Sequence, residues 1–201
     1  MAAHEEIETK FALTDPAAVR AALLSRGAAF RGRNYEDDLR FDDANRTLTA
    51  RGIVLRLRRV EGADGARHIL THKTPGYRTE ENVSIRVERE TEVTDGENMR
   101  GILEALGYEV VWRYEKYREV YTWHDVEAVI DETPIGWFME LEGPGESIRA
   151  LAGALGFSMD DAIPPSYAEL FQAACKALNL SVRDMTFEAF AGTAITPEDY
   201  V

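Results

Sequence analysis

The sequence is dominated by alternation with a period of two residues, in which charged side chains share one parity and apolar side chains share the other. In the first such segment Glu6, Glu8 and Lys10 alternate with Ile7 and Phe11. The same pattern recurs at 53–58, 69–73, 83–93, 116–118, 126–131 and 137–142. A period of two is typical of β-strands, because successive strand side chains point to opposite faces of a sheet. The chain is therefore predicted to consist mainly of strands.

Helical segments interrupt these strands at four places. The spacing of apolar residues, with a glycine or asparagine at the C-terminal end of each segment, predicts helices over 16–27, 96–107, 146–156 and 165–179. About seven to nine strands with so few crossover helices favour a largely antiparallel sheet, and a sheet of that size tends to curl or close. The length of 201 residues favours one domain, which we expect at 1–180, followed by a C-terminal tail at 181–201.

Composition and charge argue against several classes of protein. Acidic residues outnumber basic ones by 36 to 23, and the net charge of −13 disfavours binding to nucleic acid or anionic membranes. No apolar run approaches the roughly 18 residues of a membrane span, and the N-terminus lacks a basic stretch leading into an apolar one. Cys175 is the only cysteine, which excludes an intrachain disulfide and a cysteine-rich zinc site. A cytoplasmic protein without membrane or nucleic-acid partners is expected.

The charged parity of the strands has two interpretations. In a half-buried sheet it faces water, and periodicity alone favours this solvated face. If the sheet instead closes with its apolar parity outward beneath the helices, the charged parity lines a tunnel. Charges confined in a tunnel are costly unless each one finds a partner or a ligand.

Two Glu-x-Glu pairs carry the most chemical information. Glu6 with Glu8, and Glu140 with Glu142, each place two carboxylates on one strand face about 7 Å apart. Carboxylate oxygens suit Mg²⁺ or Mn²⁺ and argue against zinc. Basic residues fall at strand spacing as well, at Lys10, Arg56, Arg58, Lys73, Lys116 and Arg118. Carboxylates that hold a metal beside cations facing the same space suit a polyanion such as a triphosphate.

In order and spacing these residues resemble the CYTH superfamily of triphosphate tunnel metalloenzymes, which includes class IV adenylyl cyclases, thiamine triphosphatases and inorganic triphosphatases. Glu6-Ile7-Glu8-Thr9-Lys10 fits the E-x-E-x-K signature of that family. The matching segments that follow are Leu55-Arg56-Leu57-Arg58, Leu70-Thr71-His72-Lys73, Glu88-Arg89-Glu90, Lys116-Tyr117-Arg118, Ile130-Asp131, Phe138-Met139-Glu140-Leu141-Glu142 and Ser166-Tyr167-Ala168-Glu169-Leu170.

The resemblance implies an α+β, mainly β fold, in which an antiparallel eight-stranded β-barrel tunnel with flanking helices turns its charged parity inward. The implied metal-binding acids are Glu6, Glu8, Asp131, Glu140 and Glu142. The implied phosphate-binding residues are Lys10, Arg56, Arg58, Lys73, Lys116 and Arg118, and the implied catalytic residues are Lys10, Glu6, Glu8 and Glu140. Glu88 and Glu90 are implied as further tunnel carboxylates. Arg40 stands where many relatives carry an aromatic residue, which leaves the packing near the tunnel mouth open.

Two reactions on a triphosphate-bearing small molecule fit the implied cavity, each with Mg²⁺ or Mn²⁺. In the cyclase reaction the ribose 3′-hydroxyl of ATP attacks the α-phosphorus and pyrophosphate leaves. In the triphosphatase reaction water attacks the terminal phosphorus of inorganic triphosphate, thiamine triphosphate or a nucleoside triphosphate. Chain length and the Ser166–Leu170 segment resemble the class IV cyclase branch most. A non-catalytic polyphosphate-binding module is a further alternative, and either a monomer or a homodimer is expected.

Overall fold

The computed structural model describes residues 4–197 and residue 200. The strands are β1 (His4–Leu13), β2 (Ala29–Asp43), β3 (Val54–Gly62), β4 (Gly65–Lys73), β5 (Tyr77–Arg78), β6 (Ser84–Val93), β7 (Tyr108–Trp123), β8 (Val126–Thr133) and β9 (Gly136–Glu142). The helices are α1 (Pro16–Ser25), α2 (Thr47–Ala50), α3 (Gly96–Ala105), α4 (Gly145–Leu155) and α5 (Tyr167–Ala177), with a 3-10 turn at Met159–Asp161. All four predicted helices are present; α2 has four residues and is too short to show apolar periodicity. No helix among the described residues is long and apolar enough to cross a membrane.

Eight of the strands close into an antiparallel barrel. The order around it is β1, β9, β8, β7, β2, β3, β4 and β6, and the pairing of β6 with β1 completes the circle. The two-residue strand β5 pairs with β6 beyond the point where β4 ends. The predicted class, α+β and mainly β with an eight-stranded barrel and flanking helices, is confirmed.

The apolar parity of the strands faces outward and is covered by helices. Phe11, Ile130 and Leu141 are fully buried in a cluster with Leu23 of α1 and Leu151 of α4. The hydrophobic effect therefore drives the helices onto the outside of the barrel, because apolar side chains of the strands supply the surface that they bury.

A second apolar cluster joins helix α5 and the segment after it to the barrel. Helix α5 contributes Leu170 and Phe171, and the segment after it contributes Met185 and Phe190. Met185 is fully buried, and its backbone exchanges hydrogen bonds with Arg113 and Glu115 of β7. Part of the predicted C-terminal tail thus packs on the barrel, while the boundary at residue 180 stays a prediction.

The charged parity points into the barrel, where it lines a cavity of about 920 Å³. The solvated face favoured by periodicity alone is therefore wrong, and the tunnel implied by the resemblance is confirmed. The physical reason is that the helices occupy the outer, apolar face, so the inner face has to accommodate the charges.

Candidate active site

Strand β1 brings the E-x-E-x-K residues to the cavity wall. Lys10 lies opposite Glu140 of β9, and its Nζ is 2.8 Å from Oε1 of Glu140. Burial alone would lower the pKa of Lys10, but the negative charges of Glu140 and Glu8 outweigh it and raise the pKa. Lys10 therefore stays charged, and its ammonium group also lies 4.3 Å from the centre of the Tyr167 ring.

Strand β3 presents the two arginines of the Arg-x-Arg pair, and both are held by acids on β2. The guanidinium of Arg58 donates to both carboxylate oxygens of Asp38, at 2.8 and 3.1 Å. Its Nη1 is 2.9 Å from Glu36. Arg56 lies 3.3 Å from Asp38 and 3.2 Å from Glu90. A planar guanidinium held from one side keeps its remaining donors directed at the cavity.

Strand β7 supplies a second pair of cations. Lys116 is 2.8 Å from Oδ2 of Asp131. Arg118 donates two hydrogen bonds to Asp131, at 2.7 and 2.6 Å, and its Nη2 is also 2.5 Å from Glu140. The hydroxyl of Tyr167, which comes from α5, donates to Asp131 at 2.8 Å. Asp131 is fully buried and accepts from all three of these side chains.

Lys73 of β4 faces a group of carboxylates on β1 and β6. Its Nζ is 2.7 Å from Glu6 and 3.0 Å from Glu88. Burial would raise the pKa of Glu6, but Lys73 outweighs it and lowers the pKa. Burial raises the pKa of Glu88 despite Lys73, and the charge of Glu6 adds to the increase. A side-chain hydrogen bond between Glu88 and Glu90 raises the pKa of Glu88 further and lowers the pKa of Glu90.

Two carboxylates of the Glu-x-Glu pairs face other acids across the sheet. Glu8 of β1 lies opposite Glu142 of β9, and Glu142 lies opposite Glu127 of β8. Across the described residues, neither Glu8 nor Glu142 forms a salt bridge. Burial raises the pKa of Glu142 to about 7, and the negative charges of Glu6 and Glu127 contribute. Burial and the charge of Glu140 likewise raise the pKa of Glu8.

This excess of negative charge fits a divalent cation. The donors are all oxygen atoms, which suits Mg²⁺ or Mn²⁺. Within the described part of the chain, no three acidic, histidine or cysteine side chains converge into a preformed metal cage. That arrangement is compatible with Mg²⁺, which is commonly held by one or two carboxylates and completes its shell with water and substrate phosphates.

The structure brings the sequence-predicted site residues together around one space. Twelve of them line the cavity: Glu6, Glu8, Lys10, Arg56, Arg58, Lys73, Glu88, Glu90, Lys116, Arg118, Glu140 and Glu142. Asp131 lies behind the wall, with its oxygens directed at Lys116, Arg118 and Tyr167. Its role as a metal ligand stays a prediction, and so do the roles of the other twelve.

Sequence reasoning missed three residues of this site. Glu36 and Asp38 of β2 are buried against Arg58, but the run Glu36-Asp37-Asp38 places acids on both parities and hides the inward pair. The pairing of β2 with the strand that carries Arg56 and Arg58 could have indicated these acids, because Asp38 lies directly opposite Arg58. Tyr167 enters from a helix, so strand periodicity could not indicate it.

A family model for the CYTH domain matches residues 4–156 of this chain, which is more than half of its length. The chain belongs to the CYTH family. A relative from Methanocaldococcus jannaschii, named as a "putative adenylate cyclase", is 30% identical over 176 residues, which cover 82% of this chain and 97% of the relative.

Two solved structures share the CYTH fold with this chain. One is described as a "putative adenylate cyclase" from Vibrio parahaemolyticus; it has a TM-score of 0.74 and 24% identity and covers 84% of this chain and 98% of its own. The other, from Hippeastrum, is described as a "putative adenylyl cyclase" with a dominant triphosphatase activity. It has a TM-score of 0.63 and 20% identity and covers 88% of this chain and 97% of its own.

Proposed function

We propose that this protein binds a triphosphate-bearing molecule with Mg²⁺ or Mn²⁺ inside the barrel and cleaves it, with ATP to cyclic AMP and pyrophosphate as the first candidate reaction. The observation that carries the proposal is the set of cations that project into one cavity from four strands. They are Lys10, Arg56, Arg58, Lys73, Lys116 and Arg118, and each is held by at least one carboxylate.

The carboxylates behind the cations hold the cationic side chains in fixed orientations. Asp38 and Asp131 each hold an arginine through two hydrogen bonds, and both acids are fully buried. Arg58 and Arg118 are therefore restricted before ligand binds, and phosphate oxygens meet donors that need little rearrangement. Preoriented donors of this kind stabilise the negative charge that develops during phosphoryl or nucleotidyl transfer.

Glu6, Glu8, Glu140 and Glu142 are the residues that would hold the divalent cation. When bound, such a cation neutralises charge on the phosphates and lowers the pKa of an attacking hydroxyl or water. Glu8 and Glu142 support this assignment most strongly, because they are the acids that the cavity cations leave without a salt-bridge partner. The ammonium group of Lys10 contacts Glu140 and would use its remaining N–H groups to bind a phosphate oxygen.

The choice of nucleophile separates the two candidate reactions. The name of the Methanocaldococcus jannaschii relative supports the cyclase. The activity described for the Hippeastrum protein supports triphosphate hydrolysis as the second candidate. Both reactions use the same cations and the same carboxylates, and they differ in whether a ribose hydroxyl or water lies in line with the scissile bond.

A non-catalytic polyphosphate-binding module is the weaker alternative. Such a module needs cations and their structural counter-ions, but it has no need for acids that lack a basic partner. The half-buried carboxylates of Glu8 and Glu142 lie opposite each other, and their mutual repulsion is costly without a cation. They therefore favour an enzyme that takes up metal with its substrate.

The test is a product assay on ATP, inorganic triphosphate and thiamine triphosphate, each with Mg²⁺ and with Mn²⁺. Cyclic AMP and pyrophosphate in equal amounts support the cyclase, and orthophosphate without cyclic product supports the triphosphatase. Glu8→Gln should abolish either activity, whereas Glu5→Gln, which removes the same charge from an exposed neighbour, should not. Full activity of wild type after EDTA treatment, or full activity of Glu8→Gln, would overturn the proposal.

A further inference from the structure

The inner wall of the barrel changes character toward the end that carries the β3–β4 hairpin. Four inward positions there hold uncharged side chains, and they are Asn34, Val60, Ile69 and Val120. Val60 is only 4% exposed, yet among the described residues it belongs to none of the apolar clusters on the outside of the barrel. Its apolar surface therefore belongs to the cavity, whose wall is otherwise dominated by charge.

The strand register places these four side chains in one row across β7, β2, β3 and β4. Val120 lies opposite Gly32, so it is diagonal to Asn34 across the β7–β2 pair. Val60 is diagonal to Asn34 across the β2–β3 pair and to Ile69 across the β3–β4 pair. Diagonal neighbours in a sheet are about 7–8 Å apart. One ligand ring can therefore contact more than one member of the row.

The uncharged row lies directly beside the arginines of the proposed phosphate site. Val120 stands two residues beyond Arg118 on β7, and Val60 stands two residues beyond Arg58 on β3. Two residues of a strand span about 7 Å. That is the length of the sugar that joins a base to its phosphates in a nucleotide. A base attached to phosphates held by Arg58 and Arg118 would therefore meet the uncharged row.

Asn34 is the polar member of the row, and its amide is available to a ligand. It lines the cavity, and within the described part of the chain it forms no hydrogen bond through its side chain. Gly62 of β3 makes room for this amide, because a Cβ at Gly62 would overlap Oδ1 of Asn34. The amide offers a donor beside an acceptor, which complements the acceptor and donor on an edge of adenine. Apolar walls with few polar groups are typical of sites that orient one organic ligand.

The opposite end of the cavity is less suited to a base. Toward the start of β7 the inward residues are Trp112 and Tyr114, whose rings stack with centroids 4.4 Å apart. Trp112 also has the guanidinium of Arg40 at 5.9 Å from its ring centre and packs on Phe171 of α5. These aromatic rings already have partners in the protein. The hairpin end, with its unengaged amide, is the better location for a ligand ring.

We propose that Asn34, Val60, Ile69 and Val120 form a subsite for the base of a purine nucleoside triphosphate, in which Asn34 determines specificity. The proposal rests on the proposed function, because it assumes that the phosphates occupy the neighbouring cations. Val60 and Val120 contact the base through apolar surface, and the amide of Asn34 forms hydrogen bonds with its edge. The substrate class is thereby narrowed from any triphosphate to nucleotides, with adenine as the base that fits the amide.

The experiment compares ATP, GTP, ribose 5′-triphosphate and inorganic tripolyphosphate by isothermal titration calorimetry. Each ligand is titrated in EDTA, where metal-dependent cleavage is absent, and again with Mg²⁺. Wild type should bind ATP about tenfold more tightly than ribose 5′-triphosphate, which carries the same phosphates without a base. Asn34→Ala should lower the affinity for ATP about fivefold, the size of one or two neutral hydrogen bonds, and leave that for ribose 5′-triphosphate unchanged.

Asn34→Asp tests the specificity of the subsite. The substitution replaces the amide donor with a second acceptor, and guanine offers two adjacent N–H donors to such a group. The added negative charge weakens both nucleotides alike, so the ratio of GTP affinity to ATP affinity should rise about tenfold. Asn82→Asp is the matched control, because Asn82 lines the cavity in the loop between β5 and β6 and receives the same charge.

Equal affinities of wild type for ATP and ribose 5′-triphosphate would overturn the subsite and leave the proposed function intact. A GTP-to-ATP ratio that stays constant in Asn34→Asp, or that rises equally in Asn82→Asp, would overturn it in the same way. Tripolyphosphate affinity reports whether each variant is folded, and Asn34→Ala decides the outcome if Asn34→Asp is not. Failure of wild type to bind any of the four ligands under both conditions would overturn the proposed function and the subsite with it.

Discussion

Lys10 and Glu140 face each other across the β1–β9 pair, with Nζ of Lys10 2.8 Å from Oε1 of Glu140 and both side chains about one-tenth exposed. Glu140 is shared with Arg118, whose Nη2 is 2.5 Å from its other oxygen. One carboxylate thus fixes two cations from different strands. The wall between β1 and β7 is held together by this contact and by Asp131 behind it.

Lys10→Met should lower turnover of the triphosphate substrate by roughly 10²-fold, the typical loss when one group that stabilises transition-state charge is removed. The kinetic constants of the purified variant provide the measurement. Lys176→Met on the exposed face of α5 removes the same charge far from the cavity and serves as the control. Equal kinetic constants for the two variants would mean that Lys10 has no role in turnover.

Arg58→Met should lower the free energy of unfolding by about 3 kcal/mol or more, because it leaves the buried carboxylate of Asp38 with only one cation partner. The double variant Arg58→Met with Asp38→Asn should recover part of this loss, since the unpaired charge is then gone. Urea denaturation of both single variants and of the double variant measures the coupling. Additive losses would mean that the Arg58–Asp38 contact does not contribute to the stability of the barrel.

Glu142→Gln should stabilise the protein more at pH 8 than at pH 5 in the presence of EDTA. The pKa of Glu142 in the folded state is raised to about 7, above its ordinary value of 4.5. Ionisation of this group therefore costs folding free energy as the pH rises from about 4.5 through 7, and the substitution removes that cost. Thermal unfolding of wild type, Glu142→Gln and the exposed control Glu5→Gln provides the measurement. A gain independent of pH would contradict the raised pKa.

Tyr167→Phe should weaken triphosphate binding by a small factor, and Tyr167→Leu by a larger one. The phenylalanine variant loses only the hydroxyl that donates to Asp131, whereas the leucine variant also loses the ring beneath Lys10 and Lys116. Calorimetric titration with tripolyphosphate separates the two contributions. Tyr77→Leu, an exposed tyrosine of β5, should leave the affinity as it is. Equal losses for Tyr167→Phe and Tyr167→Leu would assign no role to the ring.

Strand β2 was not predicted, because its run Glu36-Asp37-Asp38 places acids on both parities. For the other seven strands of the barrel, the sequence contained enough information to predict which residues share a strand face. It did not determine which face lies inside, because Lys116 and Arg118 alternate in the same way on a solvated sheet and in a tunnel. The helices decide this, since they cover Phe11 and Leu141 on the outer face. The sequence also did not show which residues pair with the charged side chains of the cavity. Asp38 finds Arg58 only through the β2–β3 register, and Tyr167 reaches Asp131 only through the docking of α5.

A crystal structure with ATP or a non-hydrolysable analogue and Mn²⁺ tests the central claim most directly. The account predicts that the triphosphate lies inside the barrel, with phosphate oxygens within hydrogen-bond distance of Lys10, Arg58 and Arg118, and that Mn²⁺ contacts at least one carboxylate of Glu8 and Glu142. A triphosphate bound only outside the barrel, or Mn²⁺ held away from both carboxylates, would contradict it.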